Sequence, residues 1–171
     1  MPRSIVAFVL AFSLLFVGGC GTKSGLCKPN RNWSVTFSET NPTTQEIIGS
    51  VPPDASAVTF IRFPQFVMCA GRMYAQLDGE EIGPVATHTH VVVYVSPGEH
   101  EVTASAHSIW DVDKRSFMGR LRVETFPGRA YFISGAFDEG SVALRLLSTQ
   151  EADALIKESR QILAPQQREK K

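Results

Sequence analysis

"HVVVYVSPGEHEVTASA", residues 90–106, decides the fold class. Two β-rich runs meet at Pro97-Gly98, a pair that punctuates strands rather than continuing them. In the second run Glu101, Thr103 and Ser105 alternate with Val102, Ala104 and Ala106, which predicts one wet and one buried face. The same grammar extends both ways. "AVTFIRF" (57–63) is a strand ended by Pro64, and "RMYAQLDGEEIG" (72–83) is a strand, an Asp78-Gly79 turn and a return. "GRLRVETFPGRAYFISGAF" (119–137) repeats the Pro-Gly device at Pro127-Gly128, and "SVALRLL" (141–147) closes the series. Successive hairpins over residues 51–148 predict a mostly β domain, an antiparallel β-sandwich or open barrel.

The period then changes. In "STQEADALIKESRQIL" (148–163), Ser148 and Glu151 stand three apart as a capping box. Ala152, Leu155, Ile156, Ser159, Ile162 and Leu163 share one helical face, Asp153 and Lys157 form an i,i+4 pair, and Pro165 stops the run. One C-terminal helix over 149–164 is therefore expected, its stripe buried on the sandwich. "PQQREKK" (165–171) reads as a disordered, mildly basic tail, with membrane contact by Arg168, Lys170 and Lys171 as the other reading.

The opposite end carries an address. Ile5 to Val17 is almost wholly apolar and follows the single charge of Arg3. That length fits a secretory signal rather than a spanning helix. "VGGC" (17–20) resembles a bacterial lipobox. The resemblance implies a lipoprotein signal peptide over 1–19, cleavage before Cys20, a diacylglycerol thioether on its sulfur and acylation (palmitate-type) of the new amino terminus. Two or more acyl chains anchor stably where one does not. In lipoproteins of the Gram-negative type, Gly21 after the cysteine implies the outer membrane. Residues 20–50, rich in Ser, Thr, Asn, Pro and Gly, read as the lipidated cysteine and its tether. Within them "WSVTF" places Trp33, Val35 and Phe37 on one side of an extended segment that can pair as a strand. Cys27 and Cys69 remain as an even pair, either a disulfide or two buried thiols.

A second resemblance covers residues 57–147. Arg62 in its strand, the Asp78-Gly79…Ile82-Gly83 hairpin, Pro97-Gly98 with His100 and Val102, and Gly128 with Tyr131 and Phe132 follow one order. That order is similar to an uncharacterised domain-of-unknown-function family found in lipoproteins. The family implies a β-sandwich and carries no established activity.

Chemistry is less legible. Seventeen cationic and seventeen acidic residues give no field that recruits nucleic acid. His88 and His90 lie two apart, so on a strand both imidazoles reach one metal, with His100, His107, Asp111 or Asp113 as third ligand. Two histidines on a solvated face is the plainer reading. His100 either contacts a ligand at a loop rim or hydrogen-bonds the turn backbone. Two connections are unusually rich. "RFPQFVMCAG" (62–71) offers Phe63 and Phe66 with Val67 and Met68, a partner surface or a buried flap. "AHSIWDVDKRSFMG" (106–119) sets Trp110 beside Asp111 and Asp113, an aromatic platform for a sugar or peptide, or a plug in one end of the sandwich. The sequence shows no nucleophile, base and orienter in a familiar arrangement, so no catalytic residue is assigned.

The expectation is a lipid-anchored envelope protein at the periplasmic face of the outer membrane. It is a non-catalytic binding or assembly module with an envelope protein or glycan as partner, needing no cofactor. A metal-dependent envelope enzyme using His88 and His90 is the alternative.

Overall fold

The computed structural model describes residues 36–62, 72–107, 116–138 and 141–168. Among the described residues nine strands and three helices follow one another as α1 (Thr44–Gly49), β1 (Ser56–Arg62), β2 (Arg72–Leu77), β3 (Glu80–Val85), β4 (Thr89–Val95), β5 (Gly98–His107), β6 (Ser116–Thr125), β7 (Arg129–Asp138), β8 (Ser141–Leu147), α2 (Thr149–Lys157), β9 (Arg160–Ile162) and α3 (Pro165–Arg168). They form a five-stranded sheet ordered β8-β7-β1-β4-β9 and a four-stranded sheet ordered β3-β2-β5-β6. The mostly β sandwich expected from the sequence is therefore the fold.

Pairing refines it. The sheets are not antiparallel throughout, because β1 runs parallel to β7 and β4 parallel to β9. The two Pro-Gly pairs are pivots rather than hairpins: β4 and β5 lie in different sheets, as do β6 and β7. The cause is local. Asp78 and Gly79 both take left-handed backbone, φ 53° and 82°, which closes the tight turn joining β2 to β3. Proline is fixed at negative φ and has no N–H to extend a ladder, so at Pro97 and Pro127 the chain leaves its sheet.

Two apolar layers hold the molecule. Val58, Phe60, Val91 and Ile133 of the first sheet meet Met73, Ala75, Leu77 and Ala104 of the second. On the first sheet's other face Ala57, Ile61, Val92 and Phe132 are covered by Ile47 of α1 and by Ala152 and Ile156 of α2. Covered on both faces, β1 is buried along its whole length. Where β6 crosses β8 the backbones almost touch: a Cβ at Gly119 would sit 2.0 Å from the Val142 carbonyl oxygen. No side chain fits there.

Both terminal regions depart from expectation. The predicted helix 149–164 stops at Lys157, and Ser159 turns the chain into β9. Ile162, which suits a helical stripe, instead pairs with Val91 and is fully buried between the sheets. Parallel pairing with β4 outcompetes two further helical turns. The predicted tether 20–50 is partly built into the domain. Phe37 bridges Ile162, Asn41 bonds Ser159 and Gln161, and Thr43 with Glu46 forms a capping box that starts α1. Trp33 and Val35 lie outside the described residues. The predicted tail begins as α3, where Gln167 clips onto the Val92 carbonyl at 3.0 Å.

Candidate functional site

Register sorts the strand ends into two poles. Arg72 pairs with His107, His107 with Ser116, and Arg62 with Gly135 beside Asp138 and Ser141 at the end of β7–β8. Arg62 Nη1 donates to the Val85 carbonyl at 3.3 Å, and Val85 pairs with Met73, so β1 and β2 meet at this same pole. The two connections singled out above, 63–71 and 108–115, thus leave from one end of the sandwich, which we call the loop pole. The residues named there, Phe63, Phe66, Trp110, Asp111 and Asp113, lie outside the described residues, as do Cys20, Cys27 and Cys69.

Arg62 lies at the base of that pole. Its side chain points into the sandwich, 2% exposed, with the guanidinium 5.4 Å from the centre of the Phe137 ring. Burial pushes its pKa down to about 10, which leaves it cationic at neutral pH. A positive charge is therefore fixed at the foot of two connections, one carrying Phe63 and Phe66 and the other Trp110, Asp111 and Asp113. The fold class gave no reason to expect a buried arginine in this strand.

The two histidines proposed as a metal pair are not brought together. His88 takes left-handed backbone, φ 58°, in an exposed turn, which breaks the two-residue alternation on which a shared face depends. His90 is wholly buried beneath α2, its Nδ1 2.7 Å from Ser159 Oγ. Burial pushes its pKa down to about 4, so the ring is neutral. Among the described residues no group of three or more His, Cys, Asp or Glu is placed to hold a metal ion.

At the opposite end, the turn pole, sequence reasoning missed a clasp. His100 Nδ1 lies 2.6 Å from Asp78 Oδ2 and its Nε2 2.7 Å from the Ser96 carbonyl oxygen. Both partners are acceptors, so the ring donates from both nitrogens as an imidazolium. Burial works against that charge, but the bonds to Asp78 and Ser96 outweigh it and hold the His100 pKa above its ordinary value. Burial likewise pulls the Asp78 pKa up, and the bonds from His100 and the Glu101 N–H overcome it and hold the carboxyl low. The turn-backbone role read for His100 is half of the arrangement. Its link to Asp78, twenty-two positions away, appears only once β2 and β5 pair.

Beside the clasp a cleft of about 350 Å³ opens between the sheets. Leu77, Ile82, Val93, Val95 and Ala164 form its apolar floor, with Asp78, Glu80 and Tyr94 along the rim. Its size suits a single side chain or a small ligand. Among the described residues no helix is long and apolar enough to cross a membrane. Compared with known proteins, the chain matches no family model and no curated relative.

Proposed function

We propose that the protein is a lipoprotein of the cell envelope, acylated at Cys20, whose β-sandwich presents the loop pole to an envelope protein or glycan and binds it without catalysing a reaction. The "VGGC" stretch supports the address. The observation that carries the binding role is the register that makes connections 63–71 and 108–115 leave from adjacent strand ends. Phe63, Phe66, Trp110, Asp111 and Asp113 then supply one composite surface from two distant parts of the chain. Aromatic rings flanked by carboxylates give area and directional hydrogen bonds, the combination that a sugar or peptide demands. Rigid strands carry both connections, so substitutions in the connections leave the core intact.

Intact mass of the membrane-extracted protein beside a Cys20→Ala variant tests the address: the mature mass plus acyl chains is expected, absent from the variant. Cross-linking in intact cells, wild type against Trp110→Ala, tests the surface. Loss of the cross-linked species in the variant is expected, and an unchanged set removes the 108–115 connection from the contact.

A further inference from the structure

Strand β9 covers only part of the outer edge of β4. Its three residues pair with Thr89, His90 and Val91. The chain then leaves that edge, because the Leu163 N–H turns to the Thr36 carbonyl and Pro165, at the start of α3, has no N–H to offer a ladder. The rest of β4, from Val92 to Val95, runs on to the turn pole beside the cleft.

Alternation along the strand decides which main-chain groups face outward there. The His88 carbonyl accepts from the Arg160 N–H at 2.9 Å and the Val92 carbonyl from Gln167 Nε2 at 3.0 Å, so even-numbered positions point away from β1. The neighbouring strand agrees. The Gly128 N–H donates to the Ala55 carbonyl, a phase that turns Ala57, the register partner of Tyr94, towards β7. Tyr94 therefore directs its N–H and C=O outward, and among the described residues no hydrogen bond reaches either group. The carbonyls on both sides of it are capped, that of Val92 by Gln167 and that of Ser96 by His100 Nε2 at 2.7 Å. One open donor and one open acceptor remain between two side-chain clips.

The cleft lies beside this gap. Tyr94 lines it although its ring is held at the end of α1, Oη 2.9 Å from Ser50 Oγ, so what Tyr94 turns to the cleft is the strand edge. Val93 and Val95 point between the sheets, and residues of an added strand registered with either of them would point the same way. The volume of about 350 Å³ above Leu77 and Ile82 takes one such side chain. Positions two residues along share its face and come beside Asp78 and Glu80 at the rim. No Lys or Arg is among the lining residues, so the rim favours a basic neighbour over an acidic one. A small ligand would use the apolar floor alone, whereas an extended peptide uses the floor and the main-chain pair together.

We propose that this edge and cleft form a second binding site, which takes an extended segment of a partner protein as a strand added to β4, with one apolar side chain in the cleft and a basic side chain two positions away against Asp78 and Glu80. The site stands at the opposite pole from connections 63–71 and 108–115 and is independent of acylation at Cys20. It also explains why a bare strand edge, ordinarily covered or blunted, is left open at one residue.

The test titrates the peptide acetyl-Lys-Thr-Leu-Thr-Lys-amide, up to about 10 mM, into the isotope-labelled full-length chain in detergent micelles, a range that detects a site of millimolar affinity. Amide shifts are expected at Tyr94, Val93 and Leu77 and not at Asp138 of the loop pole. Alanine in place of the leucine should weaken binding about tenfold. N-methylation at successive peptide nitrogens carries the signature of a strand: binding should fall about fivefold at alternate positions, which face β4, and hold at those between, which face solvent. A uniform response to N-methylation, or none, overturns strand addition. Equal affinity for the peptide with glutamate in place of both lysines overturns the basic partner. No shift at Tyr94 across the whole range, whether the cleft stays empty or the chain's own residues fill it, overturns the site.

Discussion

His90 makes the sharpest prediction about pH. Ser159 Oγ gives its only proton to the Ile156 carbonyl at 3.1 Å, so it accepts from His90 Nδ1–H. That fixes the neutral tautomer with Nε2 bare, and Nε2 is buried with no hydrogen-bond partner among the described residues. Protonation would place a second N–H, and a charge, in the layer of Ile61, Val92 and Ile156. The unfolded chain takes up this proton near pH 6.5 and the folded chain only near 4. Stability is therefore complete above pH 6.5 and lost as pH falls towards 4, at up to about 1.4 kcal/mol per pH unit and about 3 kcal/mol in all. Urea unfolding at pH 7 and pH 5 reads the effect above most carboxylate titration. The wild type should lose about 2 kcal/mol more than His90→Gln, which keeps a donor for Ser159 but cannot titrate. The two proteins are compared by pH dependence alone, so the cost of the substitution cancels. Equal dependence in both, or a wild-type imidazole that titrates near 6.5 by NMR, refutes the burial argument.

His100 titrates with the opposite sign: its contribution is complete below pH 6.5 and is lost as pH rises through its raised folded value, so urea midpoints of His100→Gln should lack an alkaline decline that the wild type shows. Gly119→Ala drives a methyl into the Val142 backbone and should cost at least about 3 kcal/mol, the upper part of the overpacking range, read as a melting temperature lower by about 10 °C. Ile162→Ala should cost about 2–5 kcal/mol by the same measurement, because Ile162 fills the space between the sheets. A cost below about 1 kcal/mol would refute the placement of Ile162 between the sheets.

Local signals were the legible ones. The Asp78-Gly79 turn needs two left-handed residues, and the sequence provides the pair that adopts them with least strain. The capping box at Ser148 and Glu151 starts α2 where expected. Partners far along the chain were not legible. Nothing near Pro97 or Pro127 says whether the next strand returns to its neighbour or crosses to the other sheet. Ile162 and Leu163 fit a helical stripe and an alternating strand equally well, and only β4 decides between them. Thr43 and Glu46 carry a readable cap, but six residues of helix give too short a stripe to stand out from a tether. The His88–His90 pairing failed for a comparable reason, since a period of two holds only while both residues belong to the strand. Of the candidate surface, the composition of the two connections was readable and the adjacency of the strand ends that carry them was not.

The two most perturbed buried groups show what kind of perturbation this fold creates. Arg62 and His90 lie on opposite faces of the first sheet, and desolvation is the cause of the shift in each. Catalytic groups in a cleft are tuned by a specific charge partner as well as by burial, and they face the substrate. Neither of these side chains lines the cleft at the turn pole. The perturbed histidine that does have a charge partner, His100, spends both ring nitrogens joining the tip of β2–β3 to the pivot between β4 and β5. Each of these three residues thus fixes one strand end or one layer relative to another: Arg62 ties β1 to β3, His90 ties β4 to the turn after α2, and His100 ties the tip of β2–β3 to the pivot after β4. A frame braced at these places holds the roots of connections 63–71 and 108–115 still, and that is the mechanical requirement for two segments separated by residues 72–107 to act as the one binding surface proposed above.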